Sequence, residues 1–112
     1  MRKINLAVLP ALLLASSLAQ ADAGPGYISN ILTIADDQSI LFDQSGSRSA
    51  APSCGAGLPA RWAIDPKTPY GQSVWATLLS AYALHKQVVI IGSGACSVHG
   101  DTETVRYLNV PN

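Results

Sequence analysis

Charged side chains are scarce in this sequence: seven Lys and Arg and seven Asp and Glu among 112 residues, 12% of the chain. They balance formally and nowhere cluster, so no basic stripe marks a nucleic-acid surface. Histidine and cysteine occur twice each, without CxxC or HxxxH spacing, which leaves a zinc site short of its ligand set. Beyond residue 21 no long apolar run follows, so the remaining chain is not expected to span a membrane. Internal repeats and low-complexity tracts are missing too. The length holds the chain to one small domain. A hydrophobic content of 48% argues against disorder.

The first segment stands apart. Arg2 and Lys3 form a positive head, Ile4 to Leu18 an almost unbroken apolar run, and Ala19-Gln20-Ala21 places small residues two apart. That three-part order is the signature of a secretory signal peptide, residues 1–21, cut after Ala21 or, two residues on, after Ala23. The run is shorter than the roughly 20 residues of a membrane span. A mature domain of residues 22–112 keeps Arg48, Arg61, Lys67, Lys86 and Arg106 against all seven acids, a net charge of −2. Its expected home is the periplasm or the medium. Export puts Cys54 and Cys96 in an oxidising compartment, where a disulfide is the favoured reading over two free thiols. Closing a loop of about 40 residues contributes roughly 3–4 kcal/mol in the chain-entropy model.

Along the mature chain, Asp22 to Gly26 reads as a short polar lead. Tyr27 to Ala35 is rich in β-branched and apolar residues, interrupted by Asn30, and predicts a strand. Asp36-Asp37-Gln38 turns the chain into a second strand at Ser39–Asp43, making a hairpin. Gln44 to Ala60, dominated by Ser, Gly, Ala and Pro, is a surface loop with Cys54 inside it. Arg61 to Asp65 alternates as a third strand. Thr68 caps and Pro69 opens a helix over residues 69–86, whose apolar stripe is Val74, Trp75, Leu78, Ala81, Tyr82 and His85. Its other side is uncharged until Lys86, unusual for a face in bulk water. Val88-Val89-Ile90-Ile91 is a strand buried on both faces, and Glu103 to Val110 the last strand, with Val105, Tyr107 and Val110 alternating. The fold class is therefore mainly β with one helix, in the order β-β-β-α-β-β. Five strands with a helix between the third and fourth are the order of the OB-fold, a five-stranded barrel, here tied by one disulfide.

Chemistry is thin. Ser97, His99 and Asp101 alternate, but so compact a local run is not how a serine hydrolase assembles its triad, and a polar turn explains it. His99, Asp101 and Glu103 lack a second His for a metal site. Asp36, Asp37 and Asp43 could meet calcium, yet the hairpin turn accounts for the first two. Gly92-x-Gly94 has neither the third glycine nor the helix of a dinucleotide site. No cofactor, metal or catalytic residue is expected, and the chain is not read as an enzyme. Sugar binding asks only for aromatic faces and fixed polar groups on a shallow surface. Ser29, Arg61, Trp62 and Tyr107 are the candidate contacts, with core packing the competing role for Trp62 and surface ion pairing for Arg61.

Tyr27-Ile28-Ser29-Asn30-Ile31, the Leu78-Leu79-Ser80-Ala81-Tyr82 helix core and Lys86-Gln87-Val88-Val89-Ile90 together resemble the subtilase cytotoxin B-subunit family, over about residues 27–110. The resemblance implies an OB-fold that binds sialylated glycans and assembles as a homo-pentamer beneath a catalytic toxin subunit, its helices lining the pore. The chain is shorter than those subunits and its cysteines lie in different segments, so no sugar-binding residue is carried over. The expected function is a secreted, non-catalytic, toxin B-subunit-like domain that recognises a glycan. The alternative is a stand-alone periplasmic or envelope module that binds protein.

Overall fold

A computed structural model describes residues 22–112; the signal peptide assigned to residues 1–21 lies outside the described residues. Among the described residues the chain is mainly β with one helix. Its elements are β1 (Asp22–Gly26), β2 (Ile28–Thr33), β3 (Ile40–Gln44), β4 (Arg61–Ile64), α1 (Pro69–Ala83), β5 (Val88–Gly92) and β6 (Val105–Asn109), with a single 3-10 turn at Ser53–Gly55. The strands form two three-stranded antiparallel sheets, ordered β1-β5-β6 and β2-β3-β4.

Among the described residues no ladder closes these sheets into one barrel. Two short links join them. Tyr27 alone separates β1 from β2, so one length of chain passes from sheet to sheet. At the other side Ala63 makes an isolated parallel bridge to Thr104, and its amide donates to Glu103 O at 3.0 Å.

β1 corrects the reading of Asp22–Gly26 as a polar lead and raises the strand count from five to six. Ala23 is buried and pairs with Ile90, and Asp22 pairs with Ile91. Gly24, Pro25 and Gly26 hide the alternation that marks a strand. The glycines are needed: a Cβ on Gly26 would sit 2.2 Å from Gly46 N, and one on Gly46 would sit 2.1 Å from Gly24 O. Backbone therefore packs on backbone, and residues 47–49 run along the free side of β1 through Gly24 N to Ser47 O (2.8 Å) and Ser49 N to Asp22 O (2.9 Å). Gln44 staples the same corner, its Nε2 donating to Gly24 O at 2.7 Å and Val88 O at 2.8 Å.

The core fills the space between the sheets and the helix. Phe42 and Trp62 face each other across β3 and β4, with Ile64, Leu78, Val88 and Ile90 around them, all essentially inaccessible. Each such side chain contributes roughly 1.5–3 kcal/mol over its exposed state. Helix α1 begins where Thr68 Oγ1 accepts from Gly71 N at 2.9 Å, with Pro69 at the first position. Only glycine fits at 71, because a Cβ there would lie 1.6 Å from Asp65 O.

The helix is shorter than its stripe foretold. Val74, Leu78 and Ala81 are buried and Trp75 is half-buried against the core, but Tyr82 and His85 are exposed. Lys86 N donates to Ala81 O at 2.8 Å and His85 N to Tyr82 O at 3.2 Å, with His85 at φ 51°. That pair of bonds is a Schellman stop, so the stripe's last members lie past the point where the helix faces the core. β6 differs as well. A register shift between Ile91 and Gly92 leaves Val105, Leu108 and Val110 toward the core and Tyr107 half-exposed outside.

Candidate binding site

A shallow groove of about 270 Å³ opens on the outer face of the β2-β3-β4 sheet. Its construction starts in β2. Ser29 pairs with Asp43 and Leu32 with Leu41, so three steps on β2 match two on β3 and one residue is extra. This β-bulge holds Asn30 at φ 52°, a left-handed conformation that asparagine tolerates better than most residues. The bulge brings Asn30 over β3, where Nδ2 donates to Asp43 Oδ2 at 3.0 Å. Asp43 is paired with Arg61 across β3 and β4, which sets the carboxylate and the guanidinium on one wall. Leu32, Leu58 and Pro59 supply apolar lining, and the loop residues Gly57–Ala60 form the rim.

Beside the groove lies a polar cluster between the β2–β3 turn and residues 99–102. Asp37 Oδ1 accepts from Ser39 Oγ at 2.6 Å and Ser39 N at 3.0 Å, and Asp37 Oδ2 accepts from His99 Nδ1 at 2.6 Å. The hydroxyl and amide of Ser39, followed by His99, hold the Asp37 carboxyl far below the usual carboxylate range. Asp101 Oδ1 accepts from Thr102 Oγ1 at 2.8 Å and Arg61 Nη2 at 2.5 Å, which lower its pKa in that order of importance. Arg61 also donates from Nε to Thr102 Oγ1 at 2.9 Å.

Serine, histidine and aspartate meet here, but in the wrong arrangement for nucleophilic catalysis. A triad needs the serine on one imidazole nitrogen and the carboxylate on the other. Ser39 Oγ and Asp37 Oδ2 both face His99 Nδ1, at 3.5 and 2.6 Å, and the Ser39 proton goes to Asp37. His99 Nε2 looks instead to Asp101 Oδ1 at 3.5 Å. The cluster is a clasp between two loops. Of the sequence-local trio, His99 and Asp101 stay together while Ser97 leaves, its Oγ 3.1 Å from Thr104 Oγ1; Glu103, the third acid of the metal candidate, is buried away from them. Among the described residues no three His, Cys, Asp or Glu side chains converge on a cation position.

Glu103 is fully buried and forms an ion pair with Arg48, Nη2 to Oε1 at 2.6 Å, while Oε2 accepts from Gly94 N at 2.8 Å. The Arg48 guanidinium lies 3.8 Å from the centroid of the Trp62 ring, and its Nη1 donates to Pro59 O and Arg61 O. Desolvated charge of this kind persists only when paired and hydrogen-bonded. Cys54 and Cys96 are joined, and a Cβ on the neighbouring Gly55 would meet Glu103 N at 3.3 Å and Cys96 Sγ at 3.8 Å. The disulfide and the ion pair thus hold down the loop that makes the groove's rim.

Of the residues that the sequence put forward, Arg61 lines the groove and Ser29 is exposed on β2 beside it. Trp62 is a core residue roofed by Arg48, with no face left for a ligand. Tyr107 lies on the other sheet, paired with Ile91. Asn30, Asp43 and Leu58 line the groove too, though the sequence put Asp43 forward only toward calcium and the other two toward no ligand. The available signal was Asn30 itself, an amide set in an otherwise apolar strand. Among the described residues no helix is long and apolar enough to cross a membrane. Compared with known proteins, the chain matches no family model, no curated protein and no solved structure.

Proposed function

We propose that this chain is an exported, non-catalytic binding domain that recognises a glycan, with the groove beside β2 as its site. The observation that carries the reading is the Asn30–Asp43 pair, held by a β-bulge at the edge of an apolar depression. Fixed polar groups over aliphatic surface suit the mixed hydroxyl and C–H faces of a sugar ring. The disulfide accords with an oxidising compartment outside the cytoplasm. Binding of the mature domain to an array of immobilised glycans tests the proposal. Retention of at least one glycan is expected, and a blank array would remove it.

The OB-fold is part of the same proposal. Three features support it: the continuity of β1 and β2 through Tyr27, the parallel Ala63–Thr104 bridge, and the place of α1 between β4 and β5. Read as a ring, the chain runs β2-β3-β4, crosses at Thr104 to β6-β5-β1, and returns through Tyr27.

The resemblance to subtilase cytotoxin B subunits further suggests a homo-pentamer serving a catalytic toxin subunit. Its physical support is α1, where Leu79 and Tyr82, three residues apart on one face, are exposed and no charge occurs between Lys67 and Lys86. A face of that kind favours a partner over water. Sedimentation of the mature domain should give a pentamer. A monomer would favour the stand-alone module, with the same helix face meeting another protein.

A further inference from the structure

The groove's charge pattern limits which sugar it suits, an inference that rests on the glycan-binding reading and departs from what the family resemblance implies. We infer that the site takes an uncharged sugar ring offering hydroxyl donors to Asp43, and rejects terminal sugars that carry a carboxylate.

Two side chains on the wall bear charge, Asp43 and Arg61. An anionic sugar would need Arg61, because a guanidinium is the natural fork for a carboxylate. Two of the five N–H groups of that guanidinium are already used, Nη2 to Asp101 Oδ1 at 2.5 Å and Nε to Thr102 Oγ1 at 2.9 Å. Its charge is met by the Asp101 carboxylate, which the same contacts hold ionised. Arg48, the other guanidinium near the rim, is met in turn by Glu103. Asp43 has no such counter-ion among the described residues. It accepts only the neutral Asn30 amide, 3.0 Å from Oδ2. One hydrogen bond occupies one of about four lone-pair positions on a carboxylate. Asp43 therefore keeps acceptor capacity toward the groove and leaves it net negative.

A negative site with spare acceptors selects donors. Sugar hydroxyls are donors, and two on adjacent carbons can reach both oxygens of one carboxylate, while Asn30 fixes its orientation. A sugar carboxylate brings no donor to Asp43 and meets its like charge, while the nearest guanidinium is already paired with Asp101. The volume of about 270 Å³ suits one ring rather than an extended chain, lying at the small end of ligand pockets. Leu32, Leu58 and Pro59 would meet the ring's C–H face.

The test compares one glycan set before and after sialidase treatment, bound to the mature domain, beside the Asp43→Asn variant. The expected result is retention of desialylated glycans with uncharged terminal sugars, at affinity at least tenfold (about 1.4 kcal/mol) above that of their sialylated parents; equal affinity would overturn the inference. Asp43→Asn should weaken that binding about tenfold by removing a charge-assisted acceptor, with its circular dichroism checked against the parent. Retention of sialylated glycans alone would overturn the inference and leave the glycan-binding proposal standing. Retention of neither set would overturn both. The sialidase comparison uses the unaltered chain, so it decides the matter even where the variant misfolds.

Discussion

Glu103 and Arg48 are the residues whose chemistry is most at odds with their surroundings. Both side chains are almost wholly removed from solvent and pair with each other, although Arg48 Nε is buried without a hydrogen-bond partner. Breaking such a pair costs more than deleting it, because the survivor stays charged in a dry site. Glu103→Gln should therefore lower stability by about 3 kcal/mol or more. The double variant Arg48→Met/Glu103→Leu should lose less than that single change. Urea midpoints of the three proteins measure this, and equal losses would mean that the charge itself is unimportant. The exposed clasp behaves differently. Asp37 and Asp101 have folded pKa values depressed by Ser39, His99, Thr102 and Arg61. A depressed carboxylate adds stability that is complete above its unfolded pKa, about 3.9, and is lost as pH falls toward the folded value. Stability should hold steady from neutrality to about pH 4 on their account and then decline, with Asp37→Asn flattening the fall. Urea midpoints taken from pH 5 to pH 2 would show it.

At the scale of the element, α1 ends on a residue that ordinarily would not be chosen. His85 occupies the left-handed position after the helix, where glycine is the usual occupant. A side chain there costs about 1–2 kcal/mol. The compensation is visible in space: the His85 ring stacks on Tyr27 with centroids 4.5 Å apart and planes 12° from parallel. Stacking of this kind offsets roughly 0.5–1.5 kcal/mol. The two effects nearly cancel, so His85→Gly should leave thermal stability almost unchanged. His85→Ala keeps the backbone cost and loses the stack, and should lower stability by about 1 kcal/mol. Melting curves of the two variants separate the contributions, and a large loss in His85→Gly would mean that the stack outweighs the backbone term. The contact also ties the helix end to Tyr27, the point where the chain changes sheets.

For the whole molecule, the legible features were those written in period or punctuation. Thr68-Pro69 announced the helix start, Asp36-Asp37 the hairpin, and the Val88–Ile91 run a strand, although only Val88 and Ile90 are fully buried and the expected burial of both faces is not met. Three kinds of feature escaped. β1 is built from Gly and Pro, whose value lies in letting Gly26 and Gly46 approach, a contact between distant residues that no local pattern records. The groove depends on one extra residue in β2, which sequence spacing does not mark as a bulge. Arg61, Asp43 and Asp101 are brought together by strand register and a loop, so the sequence offered each in a separate role and not their meeting. The pairing of Cys54 with Cys96, by contrast, was legible from the expected export and a count of two. Their bond links the loop before β4 to the turn after β5, and so ties one sheet to the other. With 42 residues of separation, the unfolded chain loses freedom equivalent to roughly 3–4 kcal/mol. That is a large share of the 5–15 kcal/mol typical of a folded domain. Because the bond ties the two loops that flank the shared core, its removal should expand the unfolded state. Cys54→Ser/Cys96→Ser should therefore show a lower urea midpoint together with a steeper dependence on urea, since more surface is exposed on unfolding. An unchanged midpoint would assign the tie to Arg48, Glu103 and the packing at Gly55.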